Sequence, residues 1–192
     1  MTAASGVLHK EFHEKEWSKK GGDFQMVQLW VNLPAKDKMS TPKYQAIKNE
    51  SIPRYHVENN GGEIEIIAGE YKGIKGAATT FTSMNMLNLK LKSNAEASFS
   101  FPSNFNTAML VIEGIIQVND KDVAPTDHFI LMANDGEDFT VKATDDAIVL
   151  LLSAAPIGEP IAAHGPFVMN TRQELMEAFN DFNTGKFGYL ED

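Results

Sequence analysis

Two histidines and one carboxylate near the start of the chain have the residue types and the spacing to bind a metal ion. His9, Glu11 and His13 occupy alternate positions, so a β-strand would direct all three side chains to one face. Imidazole nitrogens and carboxylate oxygens are ligands suited to Fe, Mn, Zn or Ni. At a rise of about 3.3 Å per residue, the α-carbons of the outer two lie roughly 13 Å apart, which a flat strand cannot easily close on one ion. Spacing alone therefore favours a solvated strand face over a metal site.

The composition of the chain limits the chemistry and the partners that are open to it. Its 192 residues, 43% hydrophobic and 22% charged, suffice for one compact domain or two small ones sharing a core. A formal net charge of -9 without dense Lys/Arg runs argues against nucleic acid or an anionic membrane as partner. The absence of cysteine excludes disulfides, thiolate metal sites and cysteine nucleophiles. Apolar runs are far shorter than the about 20 residues that span a bilayer, and no leader precedes them, so we expect a cytoplasmic protein.

Short apolar runs separated by turn residues predict that most of the chain forms β-strands. The clearest pair is residues 108–112 and 115–118, which the Glu113-Gly114 turn joins as a hairpin. Further runs recur at roughly 8 to 12 residue spacing, which is typical of a sandwich or barrel. The other predicted strands are residues 7–12, 26–33, 63–66, 84–91, 129–132, 139–141 and 148–152.

One amphipathic helix is predicted near the C-terminus. Thr171 and Glu174 have the spacing of a capping box, in which each side chain bonds the backbone N–H of the other residue. Apolar residues at helical spacing follow, and Gly185 marks the end of the pattern. The sequence thus predicts a mostly β body followed by a single helix.

Three blocks of sequence, in order along the chain, resemble the pirin family. The first is Met-Thr-Ala-Ala-Ser-Gly-Val-Leu-His-Lys-Glu at residues 1–11. The second is Gln-Leu-Trp-Val-Asn-Leu-Pro at residues 28–34, followed closely by Lys38-Met39. The third contains Glu-Pro-Ile at residues 159–161 and His-Gly-Pro-Phe-Val-Met-Asn-Thr at residues 164–171. On these blocks the chain is identified as a member of the pirin family.

The resemblance implies an all-β fold of the cupin type, which is a double-stranded β-helix or jelly-roll barrel. Pirins are bicupins, with two such barrels arranged face to face. By this comparison we expect one intact C-terminal cupin at residues 51–168. Residues 1–50 would then be remnant strands of an N-terminal, metal-type cupin with a connector, and residues 169–192 a C-terminal helix and tail.

The family's iron is held by four side chains, of which this sequence matches two. The resemblance assigns His9 and Glu11 to the family's His-x-Glu segment, so they are the implied metal ligands and Fe is the implied cofactor. The other two ligands belong to a His-Pro-His motif upstream of the Met-Thr-Ala block, which has no counterpart in this sequence. Two donors from one strand bind a divalent ion weakly, because water fills the remaining positions. We therefore expect an incomplete metal site.

The remaining histidines are predicted to have structural or surface roles. His13 is badly spaced for the same ion, and His56 lies in a surface connector. His128 precedes a predicted strand, and His164 belongs to the C-terminal block, where we expect packing or hydrogen bonding. Residues 104–108 lack the His-x-His that a metal-binding second cupin would need. The intact cupin is therefore predicted to bind no metal.

Three functional hypotheses follow from the resemblance. The first is an iron-dependent dioxygenase of the quercetin 2,3-dioxygenase type, impaired as a lone chain because half of the ligands are missing. The second is a non-catalytic binding or regulatory module that uses the second cupin and the tail. The third is a fragment of a longer pirin. The family also implies a small aromatic or flavonoid ligand.

Apolar side chains of the N-terminal segment predict self-association. Residues 7–8 and alternate residues of 27–33 would expose apolar surface and unpaired backbone along a strand edge. We expect homodimerisation through residues 1–50, which would cover this surface. Two copies could also bring two His9–Glu11 pairs to one shared metal ion.

Overall fold

The computed structural model describes residues 1–190, and most of its regular structure is β. The helices are α1 (Lys15–Lys20), α2 (Ala35–Lys38), α3 (Arg172–Asn183) and two 3-10 helices, Asn49–Ser51 and Glu58–Asn60. The strands are β1 (Arg54–His56), β2 (Gly62–Ala68), β3 (Glu70–Tyr71), β4 (Ile74–Lys75), β5 (Met84–Leu91), β6 (Glu96–Ser100), β7 (Asn106–Glu113), β8 (Ile115–Val118), β9 (Asp122–Pro125), β10 (Phe129–Leu131), β11 (Asp138–Ala143), β12 (Ala147–Ala154), β13 (Ala162–His164) and β14 (Phe167–Met169).

The chain forms two compact units. Unit 1 contains Met1–Tyr44 and Gly158–Asp192, and unit 2 contains Gln45–Ile157. The domain boundaries expected from the resemblance stay predictions, and the last two residues of the expected tail lie outside the described residues. Within residues 1–190, none of the helices is both long and apolar enough to cross a lipid bilayer.

Unit 2 is built from two antiparallel sheets. One sheet has the strand order β1-β2-β5-β12-β7-β10, and the other has the order β6-β11-β8-β9. The predicted hairpin is confirmed, because β7 ends at Glu113 and β8 begins at Ile115. Gly114 between them has φ 80°, and a β-carbon there would lie 2.9 Å from the α-carbon of Ala147. Only glycine fits such a turn without strain.

The core of unit 2 combines side chains from both sheets. Strand β7 alternates between buried and partly exposed positions, and its Met109 and Val111 have no exposed surface. Strand β12 lies inside the six-stranded sheet and also buries Val149 and Leu151 completely, while Val141 contributes from the second sheet. Fully burying an aliphatic side chain of this size is worth roughly 1.5–3 kcal/mol. The predicted mostly β body is therefore present, with its own apolar core.

A charged cluster lies on the six-stranded sheet of unit 2 around one buried carboxylate. Glu65 is 5% exposed and accepts hydrogen bonds from Arg54 at 2.8 Å, Lys90 at 2.8 Å and Asn88 at 2.7 Å. Burial by itself would raise the pKa of Glu65, but these hydrogen bonds outweigh it and hold the pKa below its usual value. The hydrogen bonds of Glu65 therefore link its own strand β2 to the neighbouring strands β1 and β5.

The predicted C-terminal helix is present in unit 1 as α3. The Thr171 hydroxyl accepts a hydrogen bond from the backbone N–H of Glu174, whose carboxylate accepts one from the backbone N–H of Thr171, so the capping box is confirmed. The helix ends at Asn183, close to Gly185. Its Phe179 packs edge-on against Phe167 of β14, with ring centroids 4.9 Å apart.

The two strands predicted in the N-terminal segment are not found in the described structure. Residues 7–12 and 26–33 form no strand, and α1 lies between them along the chain. Alternation of polar and apolar residues shows only which faces a strand would have. A strand also needs a neighbouring strand to complete its backbone hydrogen bonds. The prediction is wrong because the described part of unit 1 pairs neither segment in a sheet.

Candidate metal site

The two predicted metal ligands lie side by side in unit 1. His9 Nδ1 is 3.8 Å from Glu11 Oε1, and the two side chains are 48% and 62% exposed. Gln28 Nε2 donates a long hydrogen bond of 3.5 Å to the same Glu11 oxygen. The pair therefore presents one imidazole and one carboxylate to solvent, which could bind one face of a divalent ion.

His13 does not join this pair. Its ring lies 5.0 Å from that of Trp17 and 4.8 Å from that of Phe24, measured between centroids. The Trp17 indole also donates a hydrogen bond of 3.3 Å to the backbone carbonyl of Asp23, which closes the loop after α1. His13, which precedes α1, therefore forms a small aromatic cluster with Trp17 of α1 and Phe24 of the following loop.

The other histidines have surroundings of their own. His56 is exposed on β1, and His128 Nδ1 lies 3.2 Å from the backbone carbonyl oxygen of Thr126. His164 packs against Phe179 with ring centroids 5.6 Å apart. Within residues 1–190, no three His, Asp or Glu side chains come together in a group that could hold a metal ion. The donors among residues 1–190 therefore do not make up a complete metal site on their own.

The backbone just before the pair is fastened to another part of unit 1. The backbone N–H of Thr2 donates to the carbonyl of Lys43 at 2.7 Å, and the N–H of Lys43 donates to the carbonyl of Thr2 at 3.0 Å. The N–H of Ser5 donates to the carbonyl of Ser40 at 3.1 Å. Backbone hydrogen bonds therefore hold residues 2–5 against residues 40–43, although residues 2–5 belong to no sheet.

A buried lysine joins the two stretches of chain that make up unit 1. Lys38 is 5% exposed, and its ammonium group donates to Asn32 Oδ1 at 2.6 Å and to the carbonyl of Val168 at 3.0 Å. Near it, Glu159 accepts a hydrogen bond of 2.7 Å from the N–H of Ala35 at the start of α2. Residues from both ends of the sequence therefore meet in one polar network.

The charge of Lys38 is only partly compensated. Burial lowers the pKa of the ammonium group, and the carboxylates of Glu159 and Glu174 oppose that effect without cancelling it. Asn170 adds a hydrogen bond of 2.9 Å from its Nδ2 to Glu159. Sequence reasoning missed this network because a lysine gives no signal of burial. The signal that could have found it is that Lys38, Glu159 and Asn170 all lie in or beside the blocks that resemble the pirin family.

A separate cavity of about 430 Å³ lies in unit 2, between the β3–β4 hairpin and strands β6 and β11. Tyr71, Phe99, Phe101 and Phe139 line it, with centroid distances of 5.2 Å for the first two rings and 5.9 Å for the last two. The Tyr71 hydroxyl donates to the carbonyl of Ser98 at 3.2 Å, and burial raises the pKa of Tyr71 to about 12. The cavity thus has an aromatic lining and no ionisable histidine.

Comparison with known proteins identifies the relatives of the chain. Residues 86–188, more than half of the chain, match the family described as the pirin C-terminal cupin domain. A Pseudomonas aeruginosa protein that is provisionally named a quercetin 2,3-dioxygenase is 38% identical over 187 residues, which cover 97% of this chain and 65% of that protein. Human pirin is 33% identical over 193 residues, which cover 98% of this chain and 64% of human pirin.

A solved structure shows the same fold. The crystal structure of a quercetin 2,3-dioxygenase from Acinetobacter baumannii matches with a TM-score of 0.94 and 44% sequence identity, covering 98% of this chain and 66% of that chain. Together with the family match, it confirms the predicted cupin fold. The chain spans just under two thirds of the length of each of these three relatives.

Proposed function

The chain belongs to the pirin family of cupin proteins, and from this premise we propose that it is a quercetinase-type pirin with an incomplete metal site. The observation that carries the proposal is the pair of His9 and Glu11, whose donor atoms lie 3.8 Å apart in solvent. Within the described residues no third donor completes a metal-binding group with them. We also propose a cytoplasmic location, on composition alone.

We propose iron as the ion that this pair would bind. One imidazole and one carboxylate are compatible with iron, but two donors leave the remaining coordination positions to water. Such binding is weak, because the ion gains few protein ligands and no rigid cage. The lone chain is therefore impaired in flavonol oxidation.

We further propose that the partner of the chain is a second copy, bound through residues 1–50. The support is a run of large apolar side chains in unit 1 that are at least 42% exposed. These are Phe24, Met26, Val27, Leu29, Trp30 and Val31. An apolar patch of this kind on a soluble protein marks an interaction surface. Association there would also bring two His9–Glu11 pairs into one complex.

Metal analysis and turnover test the proposal for the metal site. The purified chain is expected to hold less than about a tenth of an equivalent of iron, as weak binding predicts, and to leave quercetin unoxidised when Fe(II) is added. His9→Ala should abolish the weak Fe(II) binding that remains at high concentration, and His56→Ala, which removes an exposed histidine from unit 2, should not. A stoichiometric iron ion in the monomer, with quercetin turnover, would contradict the proposal.

Light scattering tests the proposed partner. The purified chain is expected to have the mass of a dimer, and Trp30→Asp should convert it to a monomer by placing a charge in the interface. Leu131→Asp is the matched control, because Leu131 is 73% exposed on β10 of unit 2. A wild-type chain that stays monomeric at about 100 µM, a concentration at which even weak association is populated, would exclude the dimer.

The cavity of unit 2 favours a second candidate function, a non-catalytic module that binds a planar aromatic compound. Glu70, Lys72 and Asp138 add charged groups to the aromatic lining. The four rings are each at most 7% exposed. A ring that carries hydroxyl groups would therefore bind mainly through hydrogen bonds to the carboxylates, with a small apolar contact beside them.

Quercetin binding in the presence of EDTA separates this candidate from the first. If the cavity is the site, Asp138→Asn should weaken calorimetric quercetin binding by about 10-fold or more, because a hydrogen bond to a charged group is worth about 1.5–3 kcal/mol. Glu96→Gln is the matched control, because Glu96 lies at the opposite end of the paired strands β6 and β11. Binding that is lost in His9→Ala and unchanged in Asp138→Asn would exclude the cavity.

A further inference from the structure

Strand β10 forms one edge of the six-stranded sheet of unit 2 and exposes large apolar side chains there. It pairs with β7 and closes the strand order of that sheet. Phe129 is 64% exposed and Leu131 is 73% exposed, while Ile130 between them packs against the core. Proteins commonly protect an edge strand with charged residues, because an exposed apolar edge pairs readily with another chain. The two exposed residues of β10 have the opposite character.

The exposed side chains of β10 continue an apolar surface that crosses three strands. Residues that are paired directly in a sheet carry their side chains on the same face. Two such rows consist of Phe129, Leu110 and Leu150, and of Leu131, Ala108 and Leu152. Along the first row, exposure rises from 8% at Leu150 to 64% at Phe129. A strand added beside β10 would therefore extend an apolar surface that already exists.

The backbone groups of the two exposed residues also point away from β7. The carbonyl of His128 accepts a hydrogen bond of 2.9 Å from the N–H of Val111, and the N–H of Met132 donates to the carbonyl of Thr107 at 2.9 Å. Successive residues of an antiparallel strand direct their backbone groups to alternate sides. The exposed residues occupy the odd positions between these two even ones. Their N–H and C=O groups therefore face outward, where a further strand can bond them.

The surroundings of this edge are acidic. Residues 127–138 contain neither lysine nor arginine. They contain four exposed carboxylates, Asp127, Asp135, Glu137 and Asp138. Asn134 Nδ2 donates a hydrogen bond of 3.2 Å to Asn106 Oδ1 at the start of β7, which holds the loop after β10 beside the sheet. The charge of the edge is therefore complementary to a cationic partner.

The same charges disfavour a second copy of the chain and a nucleic acid as the partner. If β10 strands of two copies paired in antiparallel fashion about Ile130, Asp127 of one copy would lie diagonally across from Asp135 of the other. Like charges that face each other across paired strands are destabilising, and neither copy supplies a lysine or arginine from this stretch. The phosphates of a nucleic acid would meet the same repulsion.

We propose that β10 is a docking edge for an extended, positively charged segment of another protein, which adds a strand to the sheet. The backbone of the segment bonds the outward N–H and C=O groups, and its apolar side chains cover Phe129 and Leu131. Its lysines or arginines lie beside the carboxylates at the two ends of β10. The edge belongs to unit 2, whereas the candidate metal donors and the proposed dimer surface belong to unit 1.

An NMR titration of the full chain with a synthetic peptide tests this docking edge. The probe is the peptide Lys-Lys-Ile-Thr-Val-Thr-Ile-Lys-Lys, in which alternate apolar residues lie between two cationic ends. The amide signals of Phe129 and Leu131 should shift, and their hydrogen exchange should slow, because their outward N–H groups become bonded. The matched peptide with glutamate in place of every lysine should leave these signals unchanged.

Variants of the chain separate the apolar contribution from the charge. Leu131→Thr should weaken binding of the cationic peptide by about 10-fold, and Val123→Thr, at a 61% exposed site on the edge strand β9 of the other sheet, should not. Asp135→Asn should weaken it by about 3-fold at low salt. Glu58→Gln is the control for charge, because Glu58 is exposed and follows β1 at the opposite edge of the same sheet.

Three results would overturn the proposal. The first is the absence of shifts in β10 at about 1 mM of the cationic peptide, and the second is equal binding of the cationic and the glutamate peptide. The third is a dimer in light scattering that Leu131→Asp dissociates, since a second copy would then occupy the edge. Unchanged amide signals from the buried strand β12 verify that each variant is folded.

Discussion

Unit 2 buries a continuous cluster of apolar and aromatic side chains, and β12 alone supplies Val149 and Leu151 to it without any exposed surface. In the described part of unit 1, the only buried residues are Pro34 and Lys38. The buried side chain that links the two stretches of unit 1 is therefore a cation, held by hydrogen bonds instead of apolar packing.

The two units are therefore stabilised by different kinds of contact. Apolar burial is the main favourable term in folding, and unit 2 has enough of it to form a core of its own. Unit 1 relies on the Lys38 network and on contacts between aromatic rings, while large side chains between Phe24 and Val31 stay exposed. Unit 1, which carries the candidate metal ligands, is therefore the unit with the smaller apolar burial.

The largest predicted effect comes from opening a cavity in the core of unit 2. Met109→Ala should lower the free energy of unfolding by about 2–5 kcal/mol, because Met109 has no exposed surface. Val27→Ala, at a 43% exposed site of unit 1, should change it by about 0.5 kcal/mol or less in the monomer. Urea unfolding followed by circular dichroism measures the unfolding free energy of both variants. Equal losses in the two variants would contradict the difference in apolar burial between the units.

A smaller loss is predicted for the charged cluster of unit 2. Glu65→Gln should cost about 2 kcal/mol of unfolding free energy at neutral pH, because three donors lose a charged acceptor. Glu63→Gln is the control, since Glu63 is 30% exposed and lies 3.4 Å from Arg54 and 3.6 Å from Lys90, and its loss should be about 0.5 kcal/mol. If Glu65→Gln and Glu63→Gln lowered the free energy of unfolding by the same amount, the stabilising role of the buried carboxylate would be refuted.

The charged cluster around Glu65 also predicts that the stability of the protein changes with pH in the acid range. Because the pKa of Glu65 is lowered in the folded state, its stabilising effect is complete above the ordinary glutamate pKa of about 4.3. That effect disappears as the pH falls through the lowered folded pKa. The stability difference between the wild type and Glu65→Gln should therefore shrink in acid, as urea unfolding between neutral pH and acid pH would measure.

The smallest predicted effect belongs to Lys38 and is confined to unit 1. Lys38→Met should lower the free energy of local unfolding in unit 1 by about 1–2 kcal/mol. The variant loses the hydrogen bonds of the ammonium group, but it no longer has to bury a charge, which offsets part of that loss. Hydrogen exchange should speed up in α3 and stay unchanged in β12, and Lys36→Met, on the exposed side of α2, should alter neither. Loss of protection in β12 as well would mean that the network is not local.

The Lys38 site should also respond to alkaline pH. Burial lowers its folded pKa, so the folded state releases the proton before the unfolded state does. Stability of unit 1 should then rise as the pH increases through the folded pKa towards the ordinary lysine value of about 10.4. Hydrogen exchange of α3 would detect this rise in the wild type and not in Lys38→Met.

The sequence predicted those features that local chemistry decides. The turn at Glu113 and Gly114 and the capping box of Thr171 and Glu174 need only residues a few positions apart, and both are present. The cupin fold came from the resemblance of blocks that cover the chain, and the comparisons confirm it.

Features that depend on distant neighbours could not be predicted. Residues 26–33 alternate as a strand would, but alternation is the same whether or not another strand lies beside it. The burial of Lys38 depends on Val168, which is 130 positions away. In unit 1 the ring of Phe187 lies against the backbone of Gly6. Neither residue type reveals from the sequence which ring will approach the backbone.

X-ray absorption spectroscopy of the chain loaded with Fe(II) examines the metal site most directly. We predict an iron ion coordinated mainly by water oxygens, with one imidazole nitrogen from each chain that contributes to it. Three or more protein donors from a single monomer would contradict the central claim that this chain supplies only half of a metal site.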